Sequence, residues 1–135
     1  MVGYSSTPLA QKLGYKPGLT VHLHHAPADY HRLLALGAKD AVTWCAEPVR
    51  GIQLVHAFTP SLAELKKLLA LYRKRVAPDG AVWISWPKKA AKVATDITED
   101  RIRDAALPLG LVDIKVCAVD EVWSGLKLVI RKALR

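Results

Sequence analysis

Lys88, Lys89 and Lys92 crowd one predicted loop, residues 87–97, directly after an apolar run at 81–86 that reads as a strand. Ammonium groups on a short loop complement phosphate or carboxylate. Thr95 adds a hydroxyl, and Thr98, followed by Glu99 and Asp100, marks a helix start whose free amides favour negative charge. Trp86 and Trp123 supply flat apolar surface for a ring such as a base. In an open parallel sheet, ligands bind beyond the carboxyl ends of the strands, and this loop leaves such an end. The expected site is therefore Lys88, Lys89, Lys92, Thr95 and Thr98 with Trp86 and Trp123. Its ligand would be an anionic small molecule or a nucleotide. A solvated basic loop over buried tryptophans is the competing explanation.

A second group lies in the connection 120–125, where Asp120 and Glu121 can act as acid or base and Ser124 as a hydrogen-bonding partner. Asp and Ser also favour tight turns through their own side chains, which is the simpler reason for their presence. His22, His24, His25 and His31 gather near the front. His22 and His24 share one face of a strand, a spacing zinc can use. Two imidazoles do not complete a ligand set, so no metal site is expected. Cys45 and Cys117 each sit in an apolar run that reads as a buried strand, where a reduced thiol behaves as a small hydrophobe. No nucleophile elbow and no Ser-His-acid or Cys-His spacing is present, so no residue receives a catalytic role.

The elements that must hold these groups alternate. Thr7, Pro8 and Gly14 mark a short first helix as N-cap, first position and left-handed exit. A strand follows near 20–25, then a helix from Pro27 and Asp29 to Leu36, ended by Gly37. Strands near 41–46 and 52–58 are joined by Glu47-Pro48-Val49-Arg50-Gly51, too short a link for a crossover helix. The two are either non-neighbours in the sheet or unusually joined. Ser61 and Glu64 read as a capping box that opens a helix with Leu65, Leu68, Leu69, Tyr72 and Val76 on one face. Ala77-Pro78-Asp79-Gly80 turns that helix into the strand at 81–86. Thr98 caps a last helix, closed by Pro108 and Gly110. Residues 112–119 and 126–131 form two strands whose short connection makes them antiparallel.

At 135 residues the chain fits one domain, 1–135, long enough to bury roughly two thirds of its unfolded surface. Hydrophobic residues make up 51% and charged ones 24%, which argues against disorder. No apolar run approaches the ~20 residues of a membrane helix. Residues 1–7 have neither a basic start nor an apolar stretch, so no signal peptide is expected and a cytoplasmic location follows. The net charge of +8 favours anionic partners. It is spread over Lys66-Lys67, Arg73-Lys74-Arg75, the lysine loop and Arg131, Lys132 and Arg135, without the interleaved aromatics of a stacking platform. A nucleic-acid partner therefore ranks behind a small anion.

Alternating helices and buried strands predict a three-layer, Rossmann-like α/β domain with a mostly parallel sheet and a C-terminal antiparallel strand pair. The ending is more specific. Residues 76–84, VAPDGAVWI, are similar to the turn and fifth strand of class I methyltransferases, and 52–58 looks like their fourth strand. The final pair resembles their ending, in which a reversed seventh strand inserts beside the fifth. This resemblance implies a reduced methyltransferase-like sheet. It also implies that the 120–125 turn projects from the end of the sheet opposite the lysine loop. WPKK at 86–89, TDITE at 95–99 and CAVDEVWSGLKL at 117–128, with Gly3-Tyr4-Ser5 and Thr7-Pro8-Leu9-Ala10, resemble an uncharacterised bacterial family of unknown function over nearly the whole chain. That likeness brings no activity with it.

A methylating enzyme of this class carries a G-x-G-x-G loop after the first strand, where glycines let the backbone approach the cofactor and present amides. This chain has His24-His25-Ala26-Pro27-Ala28-Asp29 there, and Pro27 lacks an amide hydrogen. Residues 37–52 are too few for the usual strands and helices. Glu47 alone is left to serve as the acidic residue ending the second strand. The resemblance thus implies a domain that has lost its grip on S-adenosylmethionine; no cofactor is expected, and the lysine loop makes an anion the expected ligand. The alternatives are a divergent methyltransferase that holds its cofactor without glycines, and a nucleic-acid-binding module using the charge of 66–75.

Overall fold

Near-continuous apolar runs set the sheet of this protein, whose computed structural model describes residues 7–135. Gly3-Tyr4-Ser5 and, apart from Thr7, the stretch read for a signal peptide lie outside the described residues. In β4 (Val76–Pro87), Val82, Ile84 and Trp86 face one side, Trp83 and Ser85 the other, and all five are buried. A strand buried on both faces belongs inside a sheet with helices on both sides. β4 lies between β3 (Ile52–Phe58), its parallel neighbour, and β6 (Trp123–Ile130), which runs against it. β1 (Thr20–His24) pairs in parallel with β3 and with β2 (Thr43–Trp44), and β5 (Leu111–Ala118) closes the far edge against β6. The order is β2-β1-β3-β4-β6-β5, and only β6 runs against the rest.

Helices cover both faces. On one, Leu65, Leu69 and Tyr72 of α3 (Leu62–Arg75) and Ile102 and Ala106 of α4 (Glu99–Ala106) pack on Val55, Val82, Ile84 and Leu128. On the other, Leu13 of α1 (Leu9–Leu13) and Tyr30 and Leu34 of α2 (Tyr30–Leu34) meet Val21, Phe58 and Trp83. This is the mixed three-layer sheet the sequence predicts. β2 and β3 are non-neighbours with β1 between them, and a short link suffices because the two-residue β2 ends level with Val21, opposite Leu54 near the start of β3. No helix among the described residues is long and apolar enough to cross a membrane.

Local expectations fail where tertiary pairing overrides pattern. Pro8, not Thr7, is the N-cap of α1. α2 stops at Leu34 because Ala35 turns left-handed, φ 49°, before Gly37 is reached. The strand predicted over 41–46 shrinks to two exposed residues, since only Thr43 and Trp44 reach β1 at the sheet edge. Cys45 consequently lies beyond a strand rather than inside a buried one, and it is half-buried, as is Cys117. The turn at 77–80 survives as a bulge within β4, looped out between the Ile52–Val76 and Leu54–Ala81 pairings. Gly80 is needed there: a Cβ would stand 2.7 Å from Val76 Cγ2 and 2.9 Å from the Gln53 carbonyl oxygen. Gly80→Ala is expected to cost about 1–3 kcal/mol through overpacking, readable as a lower urea midpoint. A midpoint equal to wild type would show that the bulge can yield.

The capping box forms only by half. The Ser61 hydroxyl accepts from the Glu64 amide at 3.2 Å, but the Ser61 amide donates to the Thr59 hydroxyl at 3.1 Å. Glu64 is thereby released from capping, and its carboxylate reaches across to β1.

Candidate functional site

β4 ends at Pro87, and the lysine loop leaves from there. β6, being antiparallel, begins where β4 stops: Pro87 pairs with Trp123, and the Lys88 amide donates to the Val122 carbonyl at 2.7 Å. The β5–β6 turn therefore lies beside the lysine loop, not at the opposite end as the methyltransferase resemblance implied. A reversed strand brings its entry, rather than its exit, to the exit of its neighbour. The two candidate groups share one edge, at the carboxyl ends of the parallel strands.

The predicted residues divide at that edge. Lys88 is half-buried, Lys89 and Lys92 are exposed, and none of the three forms an ion pair among the described residues. A single 3-10 turn, Lys89–Ala91, ends at Lys92 in left-handed backbone, φ 57°. Thr95 is engaged: its hydroxyl donates to the Pro60 carbonyl at 2.7 Å and accepts from the Ile97 amide at 3.1 Å. The Thr98 hydroxyl caps α4 by accepting from the Arg101 amide at 3.2 Å. Glu99 and Asp100 at that helix start pair with Arg103. The Asp96 carboxylate takes the Leu62 amide at the start of α3, at 2.7 Å. These bonds moor the loop to α3 and leave the lysines as its free charges. The two tryptophans do not form a common wall. Trp86 belongs to the core under α3 and α4, whereas Trp123 packs edge-on against Phe58 on the opposite face, ring centroids 5.2 Å apart. Asp120 is a turn former, its carboxylate accepting from the Val122 and Trp123 amides at 2.8 and 2.7 Å.

Another group at the same edge escapes the reading of the sequence. His24 ends β1, and His25 adopts left-handed backbone, φ 52°, so its ring folds back onto its neighbour. The two imidazoles stack with centroids 3.8 Å apart. Glu64, freed from capping, brings a carboxylate oxygen to 3.7 Å from His24 Nε2. One ligand atom from each of the three residues lies within 4.8 Å of the others. The Thr59 hydroxyl, hydrogen-bonded to Glu64, holds that carboxyl below the ordinary range, with further help from His24 and His25. Burial, then the neighbouring His25, lowers His24, which favours its neutral ring. His22 shares the strand face, but its ring nitrogen Nδ1 donates to the Cys45 carbonyl at 3.0 Å and does not join the group. The signal in the sequence is the adjacent histidine pair, which strand spacing alone sets on opposite faces, favouring His22 with His24.

On the α1–α2 face of the sheet, half-buried Tyr15 and the buried Tyr30, His56 and Ser85 form a polar chain. The two tyrosine hydroxyls lie 2.8 Å apart, Tyr30 sits 2.7 Å from His56 Nδ1, and Ser85 Oγ sits 2.6 Å from His56 Nε2. A serine beside an imidazole can be a nucleophile with its base. Here both are fully buried, out of reach of any substrate, and burial pushes His56 down to about 3. The chain serves packing, as a satisfied polar network.

No family model and no curated protein matches the chain. Solved structures do. It is similar to an S-adenosylmethionine-dependent methyltransferase from Aquifex aeolicus, at 14% identity and TM-score 0.65 over 90% of this chain and 87% of that one. It is also similar to magnesium protoporphyrin IX methyltransferase from Synechocystis with bound S-adenosylmethionine, at 12% identity and TM-score 0.56, covering 90% and 74%. Fibrillarin from Aeropyrum pernix, with natively bound S-adenosylmethionine, gives 12% identity and TM-score 0.54, covering 94% and 70%. The chain has a class I methyltransferase-like fold. In a methyltransferase-like sheet the loop after β1 stands where a glycine-rich loop would, and here it carries His24, His25 and Pro27.

Proposed function

We propose that this methyltransferase-like domain binds a small anionic ligand, a phosphate- or carboxylate-bearing molecule such as a nucleotide, at the carboxyl edge of its sheet. Lys88, Lys89 and Lys92 supply the charge, and no methyl transfer takes place. The observation that carries this reading is the Lys88–Val122 backbone hydrogen bond at 2.7 Å, which fixes the lysine loop beside the β5–β6 turn. Thr95 and Thr98 support it by anchoring the loop rather than by touching the ligand. Replacing Lys88 and Lys89 together by alanine is expected to weaken ATP or phosphate binding by at least roughly tenfold, because charge-assisted hydrogen bonds contribute about 1.5–3 kcal/mol each. Isothermal calorimetry reads this directly, with circular dichroism to verify folding. Equal affinity in the folded double variant would sink the reading.

A divergent methyltransferase is the second reading, and one local feature favours it. His25 supplies, at φ 52°, a left-handed backbone after β1 that a glycine would otherwise provide. Glu47, exposed three residues beyond β2, is the one acidic residue that follows the second strand closely. Binding of S-adenosylhomocysteine that survives loss of Lys88 and Lys89 would decide for this reading over the first.

A further inference from the structure

We propose that His24, His25 and Glu64 bind one divalent transition-metal ion of the zinc type, at the place where a methyltransferase carries its glycine loop. The cluster is independent of the lysine loop, and an intact metal site with failed anion binding, or the reverse, tells the two apart.

Spacing is the first support. Ligand atoms about 2.0–2.2 Å from a tetrahedral ion stand roughly 3.3–3.5 Å from one another. His24 Nε2 and the Glu64 carboxylate are already 3.7 Å apart, and all three ligand atoms lie within 4.8 Å; because the two imidazoles stack, His25 must rotate out of the stack for both rings to meet one ion. That separation is too long for a hydrogen bond. His24 Nε2 is accordingly buried without any hydrogen-bonding partner. A buried imidazole nitrogen that faces a carboxylate at ion-pair distance without a hydrogen bond leaves room for an ion between them.

Backbone geometry is the second. Successive residues of a strand point to opposite faces, so neighbouring histidines ordinarily diverge. The left-handed turn at His25 cancels that divergence. Non-glycine residues held in this region concentrate at functional sites. Outer-shell support is the third: the fully buried Thr59 donates its hydroxyl to Glu64 and so orients the carboxylate, as partners of metal ligands do. Two imidazoles with one carboxylate suit zinc, cobalt, nickel or iron(II), whereas calcium and magnesium prefer oxygen-only sites. His25 is exposed, so the remaining coordination position opens to solvent.

The test is a Co²⁺ titration of the chelator-treated full chain, followed by visible d–d absorption, with Zn²⁺ competition measured by calorimetry. One ion per chain is expected, with affinity falling on the order of a hundredfold in Glu64→Gln and in His25→Gly, the latter chosen because glycine accepts the same backbone. Thr59→Val should weaken binding by about tenfold. His31→Asn and the Lys88→Ala, Lys89→Ala double variant should bind as wild type does. Absence of a cobalt spectrum, unchanged affinity in both Glu64→Gln and His25→Gly, or an equal loss in His31→Asn would each overturn the assignment.

Discussion

Folding stability is expected to fall as the pH drops from 6.5 towards about 3, by up to roughly 1.4 kcal/mol per pH unit. The cause is His56, fully buried between Tyr30 and Ser85. In the unfolded chain it takes a proton near 6.5, whereas burial keeps the folded ring neutral down to about 3. Between those values the unfolded state holds a proton that the folded state refuses, so acidification favours unfolding. Above 6.5 both states are neutral and His56 adds no slope; below about 3 both are charged and the loss is complete. His24, lowered chiefly by burial, acts in the same direction. Urea denaturation from about pH 7.5 to about pH 4.5 measures the slope. His56→Gln, whose amide can still engage both hydroxyls, should lose most of it. A wild-type stability flat across that range would refute the role given to His56.

Trp83→Ala is expected to cost about 3–5 kcal/mol, a large share of the stability of a domain of this size. The ring is fully buried at the middle of β4, and its Nε1 donates to the Leu13 carbonyl at 2.8 Å, tying α1 to the sheet. Alanine would leave a cavity and an unpaired carbonyl together. Trp83→Phe separates the two effects, since it keeps most of the volume and loses the hydrogen bond, at about 1–3 kcal/mol. Equilibrium unfolding of both variants would check the order, and a loss for alanine no larger than for phenylalanine would contradict it.

The sheet was legible because its cause is local. Apolar runs such as AVWISW and IQLVHAF, punctuated by Pro, Gly and capping residues, suffice to place strands and helices in order. What pairing alone decides was not legible. The retreat of β2 to two residues depends on its standing at the sheet edge, and the mooring of Thr95 to Pro60 spans 35 positions. The apolar run and Pro87 suffice to set the lysine loop after β4, whereas its neighbour, the β5–β6 turn, depends on the direction of β6, which the methyltransferase resemblance does not convey from sequence. The histidine pair failed for a different reason. Strand periodicity predicts divergent side chains for His24 and His25, and a left-handed residue other than glycine leaves no mark in composition. His56, in the middle of an apolar strand, was passed over although a lone polar residue in such a run announces a buried hydrogen-bonding partner.

The reversed strand β6 sits between β4 and β5 but follows both in the chain. During synthesis, β1 to β5 therefore leave the ribosome before the strand that will join β4 to β5 exists. Until it arrives, the backbone of β4 from Val82 to Pro87 offers an unpaired ladder to any extended segment nearby. The nascent protein is thus incomplete at its centre rather than at its rim. Its exposure to mispairing should last until Ile130 has emerged and then end abruptly.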